Sequence, residues 1–83
     1  MTNKVRLQII NLAQSIFTDV EFTKVMYYLD NNKFNDLRLF VDEKLELLEA
    51  LNSFESTDVL LAQINFCDEL ESIVMGVYLE TMV

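Results

Sequence analysis

The chain has no histidine, no tryptophan and no proline, one cysteine, one glycine, and no lysine or arginine beyond Lys44. Without histidine the commonest general base is missing, and neither a Ser-His-Asp nor a Cys-His pairing can form. Cys67 alone cannot build a Cys- or His-rich zinc site, and a carboxylate di-metal bundle needs a Glu-x-x-His spacing that a His-free chain cannot supply. Gly76 alone makes no Gly-rich phosphate loop. No catalytic, metal or cofactor site is expected.

The single cysteine also rules out an internal disulfide, a staple that small exported domains usually need. The expected compartment is therefore cytoplasmic, in a bacterium, a virus-infected cell or a similar reducing setting. No apolar run, the stretch Val74 to Leu79 with Gly76 inside it included, approaches the roughly 18 to 20 residues that cross a bilayer. Behind Lys4 and Arg6 the polar Gln8, Asn11, Gln14 and Ser15 interrupt any signal-peptide core. With no Pro-rich or Gly-rich linker and no internal repeat, the chain reads as one domain over residues 1–83.

Apolar residues make up 52% of the 83, which points to a packed interior, small as it must be at this length. The net charge of −8 is unevenly distributed. Residues 1–44 hold every base (Lys4, Arg6, Lys24, Lys33, Arg38, Lys44) against Asp19, Glu21, Asp30, Asp36, Asp42 and Glu43, and so sum to zero. Residues 45–83 hold eight acids and no base. An anionic half repels phosphates and anionic lipid and attracts basic protein surfaces; the plainer alternative is that these acids only keep an apolar small protein in solution.

Good helix formers with apolar spacings near 3.6 predict an all-α fold, a small four-helix up-and-down bundle with a long C-terminal helix. The first helix is expected from about Asn3 to Phe17, with Val5, Ile9, Leu12 and Ile16 on one face. Thr18-Asp19-Val20-Glu21 has capping-box form and opens the second, which buries Phe22, Val25, Met26 and Leu29 and stops at Asp30-Asn31-Asn32. Asn35 or Asp36 is expected to cap the third, running to about Asn52 with Leu37, Phe40, Val41, Lys44, Leu47, Leu48 and Leu51 along one side. After a Ser53 to Thr57 loop, with Ser56 and Thr57 as candidate caps, the fourth runs from Asp58 nearly to Val83. A lone tetratricopeptide-like hairpin over Tyr27 to Leu51 is weakly supported, because no second copy follows.

A helix-turn-helix role is disfavoured: the third helix sets Arg38 and Lys44 against Asp36, Asp42, Glu43, Glu46 and Glu49, the wrong balance for a phosphate-lined groove. Direct nucleic-acid binding is not expected, and phosphate mimicry by the acidic half is a minor alternative. Glu46, Glu49, Asp68, Glu69 and Glu71 read as solvated faces rather than catalytic acids. Cys67, beside Leu60, Val74 and Tyr78 on the helical wheel, reads as a buried, inert thiol with no neighbouring base to activate it.

The fourth helix carries two apolar stripes. Val59, Phe66, Leu70, Ile73 and Val77 form an ordinary core face; Leu60, Ile64, Met75, Tyr78 and Met82, with Glu71 among them, form a second about a third of a turn away. Two stripes on one helix imply a central position or a partner. The residues assigned to partner binding are Leu60, Ile64, Glu71, Met75, Tyr78 and Met82 together with Glu46, Glu49 and Glu69. By analogy of size, charge and class alone, the expected function is that of a small acidic protein occluding or adapting a basic surface of a protein partner, as immunity proteins, antitoxins and phage-encoded inhibitors do. The alternative is a structural or assembly protein, a possible homodimer, that self-associates through the C-terminal helix.

Overall fold

A computed structural model describes residues 1–82. It contains four helices, α1 (Asn3–Ile16), α2 (Asp19–Asp30), α3 (Phe34–Phe54) and α4 (Asp58–Thr81), and no strand among the described residues. This is the small all-α four-helix bundle that the sequence predicts. The chain packs as two antiparallel hairpins laid on each other: α1 pairs with α2, α3 with α4, α1 lies on α4 and α2 on α3.

The breaks between helices follow local chemistry. The Thr2 hydroxyl accepts from the Val5 amide and starts α1. At Thr18 the capping box forms in full: the Glu21 amide donates to the Thr18 hydroxyl at 3.3 Å, and the Thr18 amide donates to Glu21 Oε1 at 2.9 Å. The α2–α3 turn depends on Asn32, whose φ of 56° lies in the left-handed region that Asn tolerates better than most residues. Thr57 caps α4 by accepting from the Leu60 amide at 3.1 Å.

The start of α3 differs from expectation. Neither Asn35 nor Asp36 is its cap; the helix begins two to three residues earlier, at Phe34 behind Lys33, with no side-chain cap at all. Phe34 explains the shift, because it is buried and placing it on the first turn seats it against the core. Asn35 instead accepts from the Arg38 guanidinium at 2.7 Å. At its other end α3 runs on to Phe54, so the expected five-residue loop shrinks to Glu55–Thr57.

The core consists of Ile9, Ala13 and Ile16 of α1, Phe17 in the α1–α2 junction, Val25 and Leu29 of α2, Phe34, Leu37, Val41 and Leu48 of α3, and Cys67, Leu70, Val74 and Val77 of α4. On α4 this corrects the predicted core stripe. The buried line Cys67, Leu70, Val74 and Val77 runs between the two predicted stripes and shares only Leu70 and Val77 with the first. Val59 is 71% exposed and Phe66 42%. On α3, Leu47 and Leu51, expected inside, are likewise exposed.

Helix length is the reason. At about 1.5 Å per residue, α1 and α2 measure about 21 and 18 Å, against about 31 Å for α3 and 36 Å for α4. The two layers are level at one end, where Met1, Asn32, Phe34, Val77, Glu80 and Thr81 line one cleft. All the excess length of the α3–α4 hairpin therefore lies at the other end, beyond Phe17. The principal dimension of 40 Å matches the long hairpin, not the short one.

Two substitutions check this arrangement. Leu70→Ala should cost about 2–5 kcal/mol of unfolding free energy, while Val59→Ala should stay within about 0.5 kcal/mol; equal losses in a denaturant titration would contradict the placement of the core. Gly76 sits inside α4, and a Cβ built there meets nothing within 4 Å. Gly76→Ala should accordingly stabilise the protein by about 0.5–1 kcal/mol, read as a raised melting temperature.

Candidate functional site

The α3–α4 hairpin presents two unlike surfaces, one toward α1 and α2 and one away from them. Residues on the outer side come from the flank of α4 that carries Leu60, Ile64, Glu71 and Tyr78, and from Arg38, Asp42, Leu45 and Glu49 of α3. The Arg38 guanidinium lies over the Tyr78 ring, 5.1 Å from its centroid, and within 3.7 Å of the Asp42 carboxylate, tying the two helices together across this side.

The predicted second stripe lies here. Leu60, Ile64 and Tyr78 are half-buried and rest against the chain's own core, and Met75 is half-buried as well. Met82, at the end of α4, is 65% exposed. Glu46, Glu49 and Glu69 are all exposed, but helical spacing puts Glu69 on the flank of α4 opposite Glu71. The nine predicted residues thus do not form one surface: six, Leu60, Ile64, Glu71, Met75, Tyr78 and Glu49, follow the outer edge of the α3–α4 contact, while Met82, Glu46 and Glu69 are spread around the hairpin.

Glu71 is the unusual group on the outer side. Its carboxyl shares a hydrogen bond with Asp42, and this bond, burial and the negative charges of Asp42, Asp68 and Glu49 push its pKa from 4.5 up to about 7. A proton held between the two carboxyl groups relieves a repulsion that both helices would otherwise feel. Beneath them the Cys67 thiol donates to the Val41 carbonyl at 3.7 Å, and burial first, then Glu71, pushes its pKa up to about 11. Such a thiol is not a nucleophile at neutral pH.

On the inner side the top of the short hairpin is closed by an aromatic and cationic cluster. Phe17 stacks on Phe40 with centroids 5.2 Å apart, and Tyr28 meets Phe40 edge-on at 6.0 Å. Lys24 Nζ lies 5.1 Å from the Phe40 centroid and Lys44 Nζ 5.6 Å from that of Phe17. Lys44 Nζ also donates to Glu21 Oε1 at 3.1 Å, so the same carboxylate that caps α2 fastens it to α3. Burial raises the Glu21 pKa, but the Thr18 amide and Lys44 outweigh it and hold the carboxyl below its ordinary value.

Beyond this cluster the inner side of the hairpin has no covering layer. Leu47, Leu51 and Phe54 continue along α3 the line begun by Phe40 and Lys44. Phe66 and Val59 lie seven and fourteen residues before Ile73, on the line that α1 covers lower down. Their exposures are 52% for Leu47, 49% for Leu51, 90% for Phe54, 71% for Val59 and 42% for Phe66. Sequence reasoning names none of these as exposed, and it passes over Phe54 altogether.

Comparison of the chain with models of protein families, with curated proteins and with solved structures finds no match. Among the described residues, no group of acids, cysteine or histidine is arranged to hold a metal ion, and no helix is long and apolar enough to cross a membrane.

The raised pKa of Glu71 gives a signed pH dependence. The folded state binds the proton more tightly than the unfolded chain does, so this group's contribution is fully present below about pH 4.5 and is lost as pH rises through about 7. Glu71→Gln should remove that slope and, at pH 8, stabilise the fold by on the order of 1 kcal/mol, a magnitude kept small because solvent reaches the pair and screens it. Thermal melts of both proteins from pH 4.5 to 8 measure the effect; parallel curves would show that no proton is shared there.

Proposed function

We propose that the protein acts by non-covalent binding, occupying a basic surface on a protein partner and thereby occluding or adapting it. The single observation that carries this is how the charges are used. Arg6 pairs with Asp30, Arg38 with Asp42 and Lys44 with Glu21, so half of the six cations serve acids of the first half of the chain. Among the described residues, Glu46, Glu49, Glu55, Asp58, Asp68, Glu69, Glu71 and Glu80 have no cationic partner within ion-pair distance, and all but Glu71 are exposed. The long hairpin is thus an uncompensated anionic body held rigidly by the short one. Charge of this kind accelerates encounter with an oppositely charged surface and repels nucleic acid.

A second function, self-association in a structural or assembly role, is favoured by the exposed apolar side chains beyond Phe17. Pairing two copies would also juxtapose acidic hairpins, which costs free energy at ordinary ionic strength.

The first reading is tested on the protein and a partner captured with it from host extract, the second by the protein's own mass in solution. The association rate should fall about tenfold or more as salt is raised from low to physiological strength. The combined Glu46→Lys, Glu49→Lys and Glu69→Lys variant should slow it further while leaving the circular dichroism spectrum unchanged. An association rate indifferent to both salt and charge reversal would leave the acids with no role beyond solubility.

A further inference from the structure

We infer that the uncovered inner side of the α3–α4 hairpin, beyond Phe17, is the seat for an amphipathic helix with an apolar face and basic flanks, supplied by the partner. This rests on the proposal of a basic protein partner and specifies where and how that partner is held.

Three observations converge. First, the seat is built like the covered part of the bundle. Lower down, the same flank of each helix is covered by α1 and α2, and there Ile73 and Val77 line a cleft with Val5 of α1. Higher up, the flanks continue in register as Leu47, Leu51 and Phe54 on one side and Val59 and Phe66 on the other. Two antiparallel helices leave a groove between them that accepts the ridge of a further helix. The groove continues about 10 Å or more past the short hairpin, room for about two turns.

Second, the exposure is that of an interface rather than of scattered surface residues. Five large apolar side chains share one face within a few turns, an arrangement that monomeric proteins usually avoid. Phe54 is 90% exposed although it stands in the last turn of a helix with ample polar positions. Aromatic and leucine side chains in a groove floor are the anchors that helix-in-groove recognition uses.

Third, the rim has one sign. Glu43 lines the crevice that Leu47 shares with Phe17 and Phe40. Glu46 adjoins Leu47, Glu55 and Asp58 flank the hairpin loop, and Glu69 stands one turn from Phe66. The cations nearest this rim are both engaged on the side of the short hairpin, Lys44 by Glu21 and Lys24 by the Phe40 and Tyr28 rings. A second copy of the chain would bring acid against acid around the patch, whereas lysine or arginine on the flanks of an incoming helix would meet acid on both sides.

The test uses three synthetic 14-residue peptides: a Leu/Lys sequence patterned as an amphipathic helix, a scramble of the same composition, and a Leu/Glu sequence of the first pattern. Binding is followed by calorimetry, and the protein's own mass by sedimentation. The patterned Leu/Lys peptide should bind one to one, at least about tenfold more tightly than its scramble, and the Leu/Glu peptide should not bind. Leu51→Gln with Phe54→Gln, both exposed and so harmless to the fold, should weaken binding about tenfold. Leu7→Gln with Val20→Gln, equally exposed but on α1 and α2, should leave it unchanged.

Equal binding of the scramble, or unchanged binding by the Leu51/Phe54 variant, overturns the seat. A dimer that the Leu51/Phe54 variant dissolves overturns it too, since the occupant is then a second copy. Loss on mutating Leu51 and Phe54, combined with indifference to salt and to charge reversal of the rim acids Glu43, Glu55 and Glu69, keeps an apolar seat but removes the basic partner on which the proposal rests.

Discussion

Two helical hairpins of unequal length, flush at one end, determine most of what is distinctive in this protein. Level packing at the Met1, Phe34 and Val77 end leaves the longer hairpin to project alone at the other. Which apolar residues are buried, where the exposed ones collect, and where the charge is displayed all follow from that offset. The contact that fixes it is the cluster of Phe17, Phe40 and Lys44 with Glu21, which ends the short layer and locks it to the long one. Glu21 is central to it, because one carboxylate both completes the cap of α2 and neutralises the only cation on the third helix that faces the short layer.

Much of the fold is legible in the sequence because its signals are local. Thr18 and Glu21 announce a helix start within four residues, and Asn31-Asn32 announce a stop that needs left-handed backbone. Spacing near 3.6 identifies Ile9, Ile16, Val25, Leu29, Leu37, Val41 and Leu48 as interior, and all are. Periodicity gives a helix its apolar side, however, not how far along that side a neighbour extends. Val59, Phe66, Leu47 and Leu51 have the right angular position for burial and lack only something to cover them. Helix lengths did contain that information: 14 and 12 residues cannot shield 21 and 24.

The candidate site was legible in part for a related reason. That α4 has more apolar surface than three short neighbours can enclose is visible from its length and composition. Assigning the surplus to the Leu60, Ile64 and Tyr78 side is not supported by position, because α3 lies along that flank for the whole length of α4 and half-covers it. The surplus falls instead where α1 ends. Phe54 carried no periodic signal, since it stands in a segment whose Ser and Glu neighbours read as loop; only the continuation of α3 through it reveals an aromatic ring on a helix end.

The three-residue connection Glu55–Thr57 has a consequence for how the chain assembles. It joins the two helices that pack most extensively, so the largest interface in the molecule also has the smallest loop-closure entropy. The α1–α4 contact, by contrast, joins segments at opposite ends of the sequence and must wait for the intervening helices. Local pairing of this kind gives a low contact order and favours rapid folding with the long hairpin leading. In the folded protein the short hairpin shields only the lower part of the long hairpin's inner flank, so the interface that closes most cheaply is also the one that projects beyond its cover.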